Sequence, residues 1–263
     1  MKALGIDIGS LTTKVVVLNN GVIETSCVVD SDDEADTSAK VAVARALGQA
    51  NINLNGDYYI ISTGAGGKAT SISQKSKAIS SCLARGIYHL YSSARMGIDI
   101  GAESGIVFKI NERGKLKDQA SHDKCAAGTG VFVKQMAKLM QISLEDMSEL
   151  SLDAKTRPEI SGTCAVFAES EVISHVHRDP PTPMADIAAG IYYSIVSRLM
   201  ALCKRVGIEK DVVVTGGVAQ NKGLINILEQ ELGFKVLVPD NAQSIVALGA
   251  AIIAQEQIEK GAK

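Results

Sequence analysis

The hexapeptide Gly5-Ile6-Asp7-Ile8-Gly9-Ser10 returns almost unchanged as Gly97-Ile98-Asp99-Ile100-Gly101-Ala102, and no other feature restricts the fold so strongly. Each copy is an apolar, strand-like run closed by a carboxylate and a glycine, and more β-rich sequence follows it. After the first copy, Lys14 to Leu18 and Val22 to Val29 read as strands around Asn19-Asn20-Gly21. After the second, Gly105 to Ile110 and Leu116 to Ser121 flank Asn111-Glu112-Arg113-Gly114. Both halves therefore open with a meander. The simplest architecture is two α/β halves, residues 1–94 and 95–263, with a cleft between them.

Helical spacing fills in the rest. Ser38 to Ala50, Ser76 to Ser92, Val131 to Met140, Val166 to His177 and Met184 to Val206 read as helices. In the last of these, Ile187, Ile191, Ile195, Leu199, Leu202 and Val206 recur at three- and four-residue steps, which predicts one buried stripe. Tyr58 to Ser62 and Asp211 to Thr215 are short β-branched runs that end in glycine turns, as interior strands do.

A chain of 263 residues with 46% hydrophobic and 21% charged residues can bury a substantial core. Its formal net charge of -2 supplies no basic footprint, so nucleic acid is not an expected partner. The start, Met1 to Asp7, runs straight into a strand, and the apolar stretch Ile245 to Ala254 is too short to span a bilayer. A cytoplasmic protein without a membrane role is expected. Cys27, Cys82, Cys125, Cys164 and Cys203 are an odd number and lack disulfide-framework spacing, so free thiols or metal ligands are expected.

The first repeat carries chemistry. Asp7-Ile8-Gly9-Ser10-Leu11-Thr12-Thr13-Lys14 joins a carboxylate, a glycine turn, hydroxyl groups and a lysine. The glycine admits a phosphate close to the backbone, Ser10, Leu11, Thr12 and Thr13 offer amides or hydroxyls, Lys14 supplies charge, and Asp7 can hold Mg2+ through water. Asp99-Ile100-Gly101 would face it from the other half. One Asp-x-Gly turn is weak evidence, because hairpins use such turns for geometry alone; two copies with shared flanks are stronger. Val212 to Ala219 adds a strand ending in Gly216-Gly217, where an adenosine could lie on bare backbone or the chain could simply turn.

Together these segments resemble the phosphate and adenosine motifs of the actin, Hsp70 and sugar-kinase superfamily, a duplicated ribonuclease H-like α/β fold with an interdomain nucleotide cleft. Within it, Asp123-Lys124-Cys125-Ala126-Ala127-Gly128-Thr129-Gly130 and Thr163-Cys164-Ala165-Val166-Phe167-Ala168-Glu169-Ser170-Glu171-Val172-Ile173-Ser174 resemble signatures of the 2-hydroxyacyl-CoA dehydratase activators and the benzoyl-CoA reductase ATPase subunits. The resemblance implies a homodimer, or a dimer of related subunits, with one [4Fe-4S] cluster ligated by Cys125 and Cys164 of each chain. It also implies ATP and ADP as ligands, with Gln243 lining their site. The family's Gly-Gly-Gln-Asp is here Gly101-Ala102-Glu103-Ser104, leaving Glu103 to orient or deprotonate water. Val131 stands where the activators usually carry arginine.

Cys125 and Cys164 form no Cys-x-x-Cys, so a four-thiolate cluster needs two chains. Each precedes a predicted helix, with Phe132, Met136, Leu139 and Met140 marking one buried stripe and Val166, Ile173 and Val176 the other. Helix N-termini turn free amides toward an anionic cluster. Cys27, Cys82 and Cys203 read as small core hydrophobes. His175 and His177 point to different helix faces and read as surface residues, and Glu169 and Glu171 as setting the electrostatics beside the cluster. The expected function is ATP-driven electron delivery from ferredoxin or flavodoxin to a 2-hydroxyacyl-CoA dehydratase or acyl-CoA reductase. A small-molecule kinase of the same superfamily is the alternative.

Overall fold

A computed structural model describes residues 1–53, 56–122 and 129–261. The chain divides into two compact units, the first comprising residues 1–97, 109–117 and 243–263 and the second residues 98–108 and 118–242.

In the first unit, β1 (Lys2–Ile8), β2 (Thr12–Asn19) and β3 (Val22–Asp30) form the expected meander. Asn20 and Gly21 both take positive φ, the hairpin turn whose twist suits two flanking strands. After α1 (Ala35–Gln49), β4 (Tyr58–Thr63) pairs parallel to β1, β5 (Lys75–Ser76) adds a short edge, and α2 (Ile79–Leu90) follows. The sheet order is β3-β2-β1-β4-β5. Strand alternation sends Leu4, Ile6, Ile8, Val15 and Val17 into one core with Ala39, Ala42, Ala46 and Leu47 of α1.

The second repeat opens β6 (Met96–Ile100), followed by β7 (Gly105–Ile110) and β8 (Leu116–His122). With β9 (Val212–Thr215) they make a sheet of order β8-β7-β6-β9. Between β8 and β9 lie α3 (Gly130–Leu139), α4 (Leu144–Leu150), α5 (Ala165–His177) and α6 (Met184–Val206). α6 has the predicted ends, and Ile187, Ile191, Ile195, Leu199 and Val206 are buried; Leu202 is only partly so. By length and composition α6 could cross a bilayer, yet 72% of its apolar window is buried within the protein. α5 departs from its predicted stripe: Ala168 and Val172 are buried, whereas Val166 and Ile173 are exposed. α7 (Lys222–Leu232) begins at an Asn221 cap that accepts the Leu224 amide.

The last helix, α8 (Ile245–Glu259), returns to the first unit, unlike the linear division at residue 94. A Cβ on Gly249 would stand 1.7 Å from the Cys82 carbonyl oxygen, and one on Gly5 would stand 2.0 Å from that of Ala247. Bare backbone at these two points lets α8 lie against α2 and β1. The tip of the β7–β8 hairpin also belongs to this unit, where the Tyr88 hydroxyl of α2 donates to the Glu112 carbonyl at 2.9 Å.

Candidate functional site

The two Asp-Ile-Gly copies form the same turn. The Gly9 amide donates to the Thr12 carbonyl at 3.1 Å, and the Gly101 amide donates to the Ser104 carbonyl at 2.8 Å. In each unit the penultimate residue of a buried strand is thus a buried aspartate, Asp7 or Asp99, and the chain reverses after the following Ile-Gly pair.

In the first turn, Asp7 and Lys14 are partners across the β1–β2 ladder, which puts both side chains on one face. Lys14 Nζ lies 3.2 Å from Asp7 Oδ2 and donates to the Thr12 carbonyl at 3.2 Å. Ser10 and Leu11 are exposed and Thr12 is half-buried. Gln243 Nε2 donates to Thr12 Oγ1 at 3.3 Å, so Gln243 joins this group from the start of the C-terminal helix region. Thr13 does not offer its hydroxyl to the open side. It is fully buried, with Oγ1 2.9 Å from the Ser31 hydroxyl.

Sequence reading missed the supports of this turn. Ser31 Oγ donates to the Gly9 carbonyl at 2.8 Å and the Ser31 amide to the Leu11 carbonyl at 3.0 Å, a pairing across the hairpin that no local motif announces. The Gly66 amide donates to the Ile8 carbonyl at 3.0 Å, and a Cβ on Gly64 would stand 2.6 Å from Asp7 Oδ1. The density of glycines from Gly64 to Gly67 was the available signal.

In the second turn, Asp99 Oδ1 accepts from the Thr215 hydroxyl at 2.8 Å. Ala102 is half-buried and Glu103 exposed. The first amides of α3 close the turn: Gly130 donates to the Gly101 carbonyl at 3.0 Å and Val131 to that of Ala102 at 2.9 Å. Gly216, at φ 90°, leads β9 into a turn that exposes Gly217. A side chain at Gly216 would be strained by that φ, and its Cβ would meet the Ile100 carbonyl at 2.3 Å.

The cysteines separate by environment. Burial raises the Cys82 and Cys203 thiols to about 12 and pushes that of Cys27 upward as well. All three are core residues, as expected. Cys164 is half-buried and forms the N-cap of α5, where the helix's free amides begin. On α5 beside it, Val166 is 66% and Phe167 65% exposed. Cys125 lies outside the described residues. His175 pairs with the Thr182 hydroxyl at 3.0 Å, and among the described residues no three or more His, Cys, Asp or Glu side chains gather as a metal site would need.

A model of the BadF/BadG/BcrA/BcrD ATPase family matches residues 4–254. The (R)-2-hydroxyglutaryl-CoA dehydratase activating ATPase of Acidaminococcus fermentans is 37% identical over 260 residues, 98% of each chain. The structure of the activator of the 2-hydroxyisocaproyl-CoA dehydratase from Clostridium difficile with bound ADPNP superposes with a TM-score of 0.92 at 35% identity, covering 99% of this chain and 97% of that one. A glucokinase from Streptomyces griseus, with glucose and AMPPNP, shares the fold at a TM-score of 0.57 and 14% identity, covering 97% of this chain and 100% of that one.

Proposed function

Because the chain belongs to the BadF/BadG/BcrA/BcrD ATPase family, we propose that it is an ATPase that activates a 2-hydroxyacyl-CoA dehydratase by ATP-dependent delivery of single electrons. The observation that carries this reading is the repeated turn, Gly9 to Thr12 and Gly101 to Ser104, each set beside a buried aspartate. The first turn has the groups a polyphosphate requires. Ser10, Leu11 and Thr12 present backbone and hydroxyl donors, Lys14 supplies positive charge, and Asp7 holds Mg2+ through water. In the second unit, Asp99 accepts from Thr215, and exposed Glu103 carries a carboxylate able to orient or deprotonate water. Gly216 and Gly217 offer backbone to the adenosine, and Gln243 ties Thr12 to the nucleotide-binding group.

A [4Fe-4S] cluster, when bound, supplies a low-potential one-electron couple. The residues fit such a group. Cys164 is half-buried at a helix N-terminus, while the raised thiols of Cys27, Cys82 and Cys203 make them poor thiolate donors. With Cys125 as the second ligand, each chain contributes two thiolates and a homodimer completes the set. Val166, Phe167 and Ile173, exposed on α5, supply apolar surface for a second copy. The electron donor is a ferredoxin or flavodoxin, and the setting is a reducing cytoplasm that keeps the ligand thiols free.

The test is anaerobic mixing of dithionite-reduced, desalted protein with a 2-hydroxyacyl-CoA dehydratase, while the visible absorbance is followed. Oxidation of the reduced protein is expected only with MgATP. Equal rates with ATP, with ADP and without nucleotide would remove the coupling, and a colourless, iron-free anaerobic preparation would point instead to a small-molecule kinase.

A further inference from the structure

We infer that Glu171 and Arg198 are positioning residues that together fix the turn delivering Cys164 to the start of α5. This deepens, and rests on, the reading of Cys164 as a cluster ligand. Cys164 makes no side-chain capping bond of its own, whereas α4 and α7 are closed by the hydroxyl of Ser143 and the carboxamide of Asn221. The approach to α5 is held from outside instead. Glu171, two turns along α5, reaches back so that its Oε2 accepts the Ser161 amide at 2.5 Å. Arg198, midway along α6, donates from its guanidinium to the Gly162 carbonyl. Gly162 lies so close to α6 that a Cβ there would stand 2.9 Å from the Ser194 carbonyl oxygen. Ser161 and Thr163 join hydroxyls at 3.0 Å, and Ile160 is buried just before them.

The residues immediately before Cys164 are therefore restrained one after another, and the two outer restraints are bonds between a charged side chain and a backbone group. Such bonds are stronger than neutral ones. The sequence pattern suggested that Glu171 sets the charge near a cluster; its carboxylate also accepts a backbone amide, that of Ser161. Residues that orient a ligand without touching the metal commonly change metal affinity by about 10–100-fold when removed.

The test compares Glu171→Ala with Glu171→Gln, and Arg198→Met with Arg198→Lys, the second of each pair keeping an acceptor or a donor. In metal-free protein, iodoacetamide labelling of Cys164 is read by peptide mass spectrometry, with buried Cys82 and Cys203 as internal references. In anaerobic holoprotein, the electron paramagnetic resonance spectrum of the reduced state is recorded. The labelling rate of Cys164 should shift by at least about threefold in Glu171→Ala and Arg198→Met, and return to within about twofold of wild type in Glu171→Gln and Arg198→Lys. The resonance positions should move in the same two variants and be restored in their partners. Hydrogen exchange on the wild-type chain should show the Ser161 amide slowed at least about tenfold relative to an open loop, a result that needs no variant to fold. Unchanged labelling and spectra in Glu171→Ala and Arg198→Met, or a Ser161 amide exchanging at the open-loop rate, overturns the inference. Iron analysis of Cys164→Ala is a separate arm. Full iron content there would defeat the ligand reading, while the labelling and exchange data would still decide whether the clamp exists.

Discussion

Lys14 and Asp7 are where the proposed nucleotide site is most directly tested, because the ladder register places them on one face and their charges meet at 3.2 Å. Replacing Lys14 with Met keeps the apolar stem and removes the cation. A charged hydrogen bond contributes about 1.5–3 kcal/mol, so MgATP affinity should fall roughly 10–100-fold by isothermal titration, with iron content unchanged. An affinity within about twofold of wild type would remove Lys14 from the phosphate site. Asp186 answers a different question, that of acid stability. Its carboxylate accepts from the Thr156 hydroxyl at 2.7 Å and from the Lys155 and Thr156 amides at 2.7 and 3.1 Å. The Thr156 hydroxyl first, then these amides, hold its pKa below the ordinary value against the opposing effect of burial. A depressed folded-state pKa means that the stabilisation is complete above the unfolded value of about 3.9 and is withdrawn progressively as the pH falls from there through the lower folded value. Wild type should therefore exceed Asp186→Asn in urea stability at neutral pH and lose that advantage in acid. A gap that stays constant from about pH 6 down to pH 3 would contradict the assignment. Asp7 and Asp99 were legible because they stand in a repeat. Ser31, Thr215 and Asp186 were not, since each finds its partner through packing between segments distant in sequence.

At the scale of elements, the legible helices were those with one buried side. α6 shows this in its C-terminal part: Asp186 to Tyr192 is buried on every side, whereas from Ser194 onward Ile195, Leu199, Cys203 and Val206 keep to one buried stripe. Truncating Ile195, which is wholly buried, to Ala should cost about 2–5 kcal/mol in chemical unfolding, and a loss below about 0.5 kcal/mol would mean that the core collapses around the gap. α8 was read only as an apolar stretch because it is buried over much of its circumference, from Ile245 through Ala251. A helix covered on several sides has no hydrophobic period to detect. Its seat depends on Gly249, where even a methyl group would collide with the Cys82 backbone. Gly249→Val should destabilise the protein by about 3 kcal/mol or more, and a melting temperature equal to wild type would show that α8 can shift without cost. α5 was predicted with the wrong buried side for a related reason. Ala168 and Val172 are small and gave a weak signal beside Val166 and Ile173, which the fold leaves exposed.

For the whole molecule, the ligand count carries the expectation. If four cysteine thiolates hold one cluster and each chain supplies Cys125 and Cys164, removal of iron removes the bridge between copies. The anaerobic holoprotein should run as a dimer by light scattering. Chelation of its iron should weaken the dimer at least about tenfold by sedimentation, as should Cys164→Ala. A dimer equally stable without iron would mean that apolar surface, including that around Val166 and Phe167, carries the association unaided.

The sequence by itself determined the duplicated strand–turn pattern, the ends of α6 and the candidate phosphate and thiolate residues, because each is written in a local period or a contiguous motif. Tertiary structure decided which unit receives the C-terminal helix, which face of α5 is covered, and how Ser161, Gly162, Glu171 and Arg198 converge before Cys164. Those outcomes depend on close approach between segments far apart in the chain, where one missing Cβ or one charged side chain aimed at a backbone group sets the geometry, and no local period records it.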